Sequence, residues 1–233
     1  YHDIDVSREL PWSRRPEASR LLRDAADRNR GWSALVIAEP QRAFSGGQLI
    51  VAGWSNEEFN STLRAIPYPF TSATGSADIE MYHGNPKQLE TRSPVYTFVP
   101  YAINGTPSLV AGYLCTPLVT MPIASLKPGS KVRGTTIAEF GNNNRPLDMV
   151  VYRKSGQDYL LMSNNNRGVM KIAASTFATA APITTPIETT GGVPYETIAS
   201  MKGIEQLDLL DASQAIVMAR ASGALNLQVL PLP

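Results

Sequence analysis

Three stretches of this chain lie over one another. VYTFVPYAINGTPSLVAGYLCTPLVTMPIASL begins at Val95, LDMVVYRKSGQDYLLMSNNNRGVMKIAASTF at Leu147 and IEQLDLLDASQAIVMARASGALNLQVLPL at Ile204. Each reads as a strand, a tight turn, an apolar strand, a second turn and a third strand. A fourth run follows the first two: Thr136-Ile137-Ala138-Glu139 and Thr197-Ile198-Ala199-Ser200. A looser copy starts at Trp32, and equivalent positions recur about 50 to 62 residues apart. A strand meander repeated at this interval makes the chain all-β and fixes how its parts are counted.

The runs that read as strands include 32–38, 48–54, 62–68, 77–83, 95–103, 108–114, 118–124 and 132–140, then 148–153, 158–162, 169–174, 195–199, 206–210, 214–219 and 224–230. Asn104-Gly105 is the strongest hairpin signal among their turns. The 18 prolines and 17 glycines are spread evenly, which favours many short elements. Four strands per repeat resembles the β-propeller class, one repeat per blade. The resemblance covers nearly all of 32–233 and rests on the repeat pattern, since the WD dipeptide and tryptophan docking motifs are missing. It implies a central channel with ligands at one mouth, and no single function.

On this reading residues 1–31 hold a closing strand, a short helix from Pro16 to Asp27 and an Arg-rich loop, and 32–233 form four blades. The blades are about 32–84, 95–140, 147–199 and 204–233. The last is completed by residues 1–7, which resemble Ala77-Asp78-Ile79-Glu80-Met81. The ring either closes on itself with four blades or is half of a larger ring that a second chain completes. A start at Tyr1 rather than Met reads either as a trimmed chain or as one processed from a longer precursor, the latter placing it in the periplasm or outside the cell.

Composition excludes several classes. Twenty-one basic against 20 acidic residues give a net charge of +1, so the chain is no polycationic nucleic-acid binder. Cys115 is the only cysteine, which rules out a disulfide scaffold. No apolar run reaches the roughly 18 residues of a membrane helix. No nucleophile elbow, phosphate-binding glycine loop or haem signature is present. His2 and His83 are the only histidines. His83 is expected at a rim. With Cys115 and Met121 it supplies blue-copper ligand types, but the second histidine is lacking. No metal site is predicted, and no cofactor is assigned.

The topology gives a better signal. The loop entering each first strand and the turn between second and third strands share one end of a blade. The entering loops are Arg30-Gly31-Trp32, Arg92-Ser93-Pro94, Arg145-Pro146-Leu147 and Lys202-Gly203-Ile204, each with a basic residue set two places before its strand. The turns add Asn164-Asn165-Asn166-Arg167 and Arg220, and Asn142-Asn143-Asn144-Arg145 is a near copy. Arg30, Arg92, Arg145, Lys202, Asn143, Asn144, Asn165, Asn166 and Arg167 are therefore the candidate binding residues. Guanidinium forks suit carboxylate and phosphate, and Asn donates and accepts. Arg145 and Arg167 are expected to serve binding and to leave stability unaffected.

Two functions follow. One is an extracytoplasmic binding or assembly subunit that presents this basic face to an anionic small molecule or acidic partner. The other is a subunit of a propeller enzyme, a hydrolase or a quinone- or metal-dependent oxidoreductase, whose remaining catalytic groups lie on another chain.

Overall fold

The computed structural model describes residues 32–37, 48–54, 61–67, 75–84, 88–114 and 117–233. The closing strand 1–7, the helix 16–27, Arg30 and Cys115 lie outside the described residues. Helical structure among the described residues is limited to two short 3₁₀ turns, Ile123–Ser125 and Ala174–Ala178.

Among the described residues eighteen strands form four sheets, antiparallel throughout except for one parallel pair in the first. The first sheet holds β1 (Trp32–Ile37), β2 (Gln48–Trp54), β3 (Ser61–Pro67), β4 (Ala77–His83) and β5 (Gln88–Glu90). The second holds β6 (Val95–Ile103), β7 (Thr106–Tyr113), β8 (Pro117–Pro122) and β10 (Thr135–Glu139), with β14 (Gly191–Gly192) added at its edge. β9 (Lys131–Arg133) leaves the second sheet to pair in parallel with β4. The third sheet holds β11 (Pro146–Lys154), β12 (Gln157–Asn164), β13 (Gly168–Ala173) and β15 (Glu196–Thr197). The fourth holds β16 (Ile204–Leu209), β17 (Gln214–Ala221) and β18 (Ala224–Pro231).

The departures from the strand reading have local causes. The run 132–140 breaks at Gly134, where a Cβ would collide with the Val119 side chain and where the backbone N–H donates to Glu80 O. The run 118–124 stops at Pro122, after which Ile123–Ser125 coils into a 3₁₀ turn. Gly191–Gly192 has turn chemistry, yet it pairs with β10. Gly192 sits at φ +86°, so close to Ile137 O that any side chain would overlap it.

Period-2 alternation places neighbours in different cores. Leu109 and Ala111 pack with Ile50, Leu63, Ile79 and Met81 between the first and second sheets. Val110, between them in the chain, packs with Leu118, Met149, Leu160 and Met162 between the second and third. Leu161 turns the other way and packs with Leu207, Ala215 and Val217 between the third and fourth. The first strands lie side by side in the same order: β1 by β6, β6 by β11, β11 by β16.

A strap of residues ties the stack together. From the 3₁₀ turn at Ala174–Ala178 the chain runs back over the second sheet. There the N–H groups of Ile183 and Val193 donate to Thr136 O and Ile137 O. At its far point Ile187 N–H reaches Gly84 O of the first sheet, at 3.1 Å.

The outer face of the fourth sheet contrasts with these cores. Leu225, Leu227 and Val229 of β18 are exposed, Leu227 to 66%. Truncating a fully buried side chain leaves a cavity, whereas truncating an exposed one does not. Leu161→Ala should therefore cost about 2–5 kcal/mol in urea unfolding, and Leu227→Ala less than about 0.5 kcal/mol. Equal losses at the two sites would contradict this layered core.

Candidate functional site

Two recurrent backbone features gather the loops at one end of the sheets. In each sheet the first hairpin carries a β-bulge just inside the start of its first strand. The register slips between Trp32 and Ala34, Val95 and Thr97, Pro146 and Asp148, and Ile204 and Gln206. A bulge increases the local twist and re-aims side chains. Beyond it, in the second, third and fourth sheets, the end of the second strand or the turn after it is pinned to the loop before the first. Leu114 N–H donates to Pro94 O at 3.1 Å, Asn165 N–H to Arg145 O at 3.1 Å and Arg220 N–H to Gly203 O at 2.8 Å. Gly203 has φ +67°, and a Cβ there would strike the Arg220 carbonyl, so only glycine fits.

At the third sheet this end brings the two Asn runs together. Arg145 N–H donates to Asn165 Oδ1 at 2.6 Å, and Asn166 Nδ2 donates to Asn143 O. Asn143 takes the left-handed conformation, φ 60°, that the turn needs. Asn144 is 1% exposed, and its Nδ2 donates to Phe140 O, Gly141 O and Asn142 O at 2.9–3.1 Å. Asn164, also buried, accepts from the N–H groups of Asn166 and Arg167 at 3.0 Å each. Arg167 is half-buried, and its Nε donates to Phe140 O at 3.1 Å.

These bonds sort the candidate residues. Asn144 is a turn brace, and Arg167 ties its turn to the end of the second sheet. Asn143, Asn165 and Asn166 are exposed beside them. Arg145, Lys202 and Arg92 are exposed at the starts of their first strands, and the Arg92 N–H donates to Glu90 Oε1 at 2.6 Å. Arg30 lies outside the described residues. The basic residues are not in equivalent positions: Arg92 stands three before Val95, Arg145 directly before Pro146 and Lys202 two before Ile204. Arg220 is held by Glu205, the bulge residue of the fourth sheet. Its guanidinium keeps that carboxyl below the usual range.

In the sequence Asp148 stands beside a turn among alternating apolar residues, a pattern that marks no site. It lies just inside the third sheet's bulge and bridges to the next first strand. Its Oδ2 accepts from Leu207 N–H at 3.0 Å and its Oδ1 from Met149 N–H at 2.9 Å. Burial pushes its carboxyl up to about 6, against the downward pull of those two N–H donors, with the charge of Asp208 adding to the rise.

His83 is buried rather than at a rim, 5% exposed, with Nε2 3.6 Å from Oε1 of the 1%-exposed Glu139. Its burial could not be read from the chain order. Met121 is buried in the first core. Among the described residues no three His, Cys, Asp or Glu side chains gather as a metal site, and no helix is long and apolar enough to cross a membrane. The chain matches no protein-family model, and no curated protein matches it in sequence.

Asp148 sets a pH dependence. The folded state holds this proton up to about pH 6, whereas an unfolded aspartate releases it near pH 4. The contribution is thus complete below about pH 4 and is lost as pH rises through about 6. The wild-type midpoint minus that of Asp148→Asn should fall over this window and be flat above it. A flat difference throughout would remove Asp148 from this role.

Proposed function

We propose that the four sheets are successive blades of a β-propeller arc, and that the end where their first strands begin binds an anionic ligand. The observation that carries this is the recurrence of one bulge in all four first hairpins, with one pinning hydrogen bond repeated in three sheets. Bulges of this kind sit at the rims of closed sheets and beside sites. Here they support entering loops whose exposed cations are Arg92, Arg145 and Lys202, next to the donors and acceptors of Asn143, Asn165 and Asn166. Adjacent first strands bring cations of different blades to one mouth. Their unequal offsets suit an extended acid, a sugar acid or a carboxylate-bearing partner surface, better than a small symmetric ion.

The ligand class is one that offers carboxylate or phosphate oxygens and hydroxyls together. Guanidinium and ammonium groups meet the charge, and side-chain amides meet the hydroxyls. The reading makes the chain a binding or assembly subunit.

Calorimetric titration with glucuronate, citrate and glucose tests it. The two acids should bind and glucose should bind at least tenfold more weakly. Arg145→Ala combined with Lys202→Ala should weaken acid binding by on the order of tenfold or more while moving the thermal midpoint by less than about 2 °C. Arg167→Ala should lower the midpoint, because it removes the bond to Phe140 O. Absence of acid binding, or a double variant that binds as the wild type does, would sink the proposal.

A further inference from the structure

Asp148 stands where the third and fourth sheets meet, at the end from which both first strands set out. It is the first paired residue inside the third sheet's bulge, and its Oδ2 accepts from Leu207 N–H at 3.0 Å. Leu207 lies one residue past Gln206, the first paired residue inside the fourth sheet's bulge. The loops outside these two bulges carry Arg145 and Lys202, both exposed. Arg145 is fixed to the neighbouring turn at both its N–H and its O, by Asn165. Asp148 follows Arg145 by three steps of chain, a span of about 10 Å when extended.

The surroundings give this carboxyl no cation of its own. Its oxygens accept from two backbone N–H groups, and among the described residues it forms no ion pair. The strands packed against β11 are β6, β12 and β16. On β16 the acids are Glu205, which is paired with Arg220, and Asp208, whose charge bears on Asp148. On β12 the cross-strand neighbour is Ser163, whose fully buried hydroxyl has no hydrogen-bond partner among the described residues. β6 brings the phenol of Tyr96 to this end. Tyr101, Tyr152, Arg153, Lys154, Asp158 and Tyr159 gather at the opposite end of β11. Arg167 is bonded to Phe140 O.

A carboxyl in this place alters the field at the mouth through its own charge. Neutral, it leaves Arg145 and Lys202 to attract an anion undiminished; ionised, it opposes them. Both forms can accept the Leu207 N–H, because the neutral acid keeps acceptor capacity. The effect therefore needs no movement of the loops. Burial sets the changeover at about 6.

We propose that Asp148 links anion binding at the mouth to a proton: the ligand binds more tightly when Asp148 is protonated, and its binding draws a proton onto Asp148. The two effects are reciprocal by thermodynamic necessity. This inference rests on the anion site proposed above.

Glucuronate is the probe, because a carboxyl of its class titrates well below this range and stays ionised. Titration calorimetry is run at about 10 mM ionic strength, where charges act over about 30 Å. The wild-type Kd should be about three- to tenfold lower at about pH 5 than at about pH 7.5. Asp148→Asn should bind at both as the wild type does at the lower pH. Near the changeover the wild type should take up a fraction of a proton on binding. Its binding heat should then differ between two buffers of unequal ionisation heat, and that of Asp148→Asn should not. A wild-type Kd that does not change with pH, or a change that Asp148→Asn retains, overturns this inference and leaves the anion site standing. Absence of glucuronate binding at both pH values overturns the anion site and this inference with it. If Asp148→Asn does not melt cooperatively, the wild-type pH series and its proton uptake decide alone.

Discussion

Leu109 and Val110 are adjacent in the chain and lie in different cores, as do Leu160 and Leu161. A strand that is apolar on both faces has no stable place at a surface. Its sheet must stand between two others, and fully burying each such leucine stabilises by roughly 1.5–3 kcal/mol. This constraint orders the sheets one after another. It also sets their first strands side by side, which brings the loops entering those strands to a common end. The position of the candidate site is thus a consequence of where leucine and valine must go.

At that end the polar residues divide between holding and presenting. A turn left without partners for its backbone groups would fray; from inside, Asn144 donates to its carbonyls and Asn164 accepts from its N–H groups. Their near neighbours Asn165 and Asn166 lock one turn to the other and still face solvent. The rigidity given by the buried amides is what allows the exposed ones, and Arg145 beside them, to keep a fixed geometry. A ligand held there would meet groups that need little ordering on binding.

Much of this was legible in the sequence. The apolar run 95–103 has the bounds of β6, and Gln48–Trp54 and Ala77–His83 coincide with β2 and β4. Alternating apolar residues bounded by Asn-Gly or Ser-Gly are decided locally. What failed depends on distant neighbours. Gln88–Glu90 has no apolar pattern and is a strand only because β4 offers an edge. Gly134 breaks a run because Val119 stands in the way. The entering loops were rightly joined to the second turns, as the Asn165–Arg145 bond shows, yet the cations within them are out of step. The burial of His83 beside Glu139 and the raised pKa of Asp148 arise from chain segments far away in sequence, which no local pattern encodes.

The strap from the third sheet has a consequence for how order is lost. An array in which each unit touches only its neighbours can melt from either end, one unit at a time. Here Ile183 and Val193 fasten the third sheet's outgoing chain to the second, and Ile187 fastens it to the first. That stitch spans a non-adjacent pair, so the first three sheets share one cooperative unit. The fourth is joined to the third alone, through one apolar layer, the Asp148–Leu207 bond and the contacts of its tail. It is the natural hinge for local opening, and its amide protons are the ones to exchange while the others stay protected.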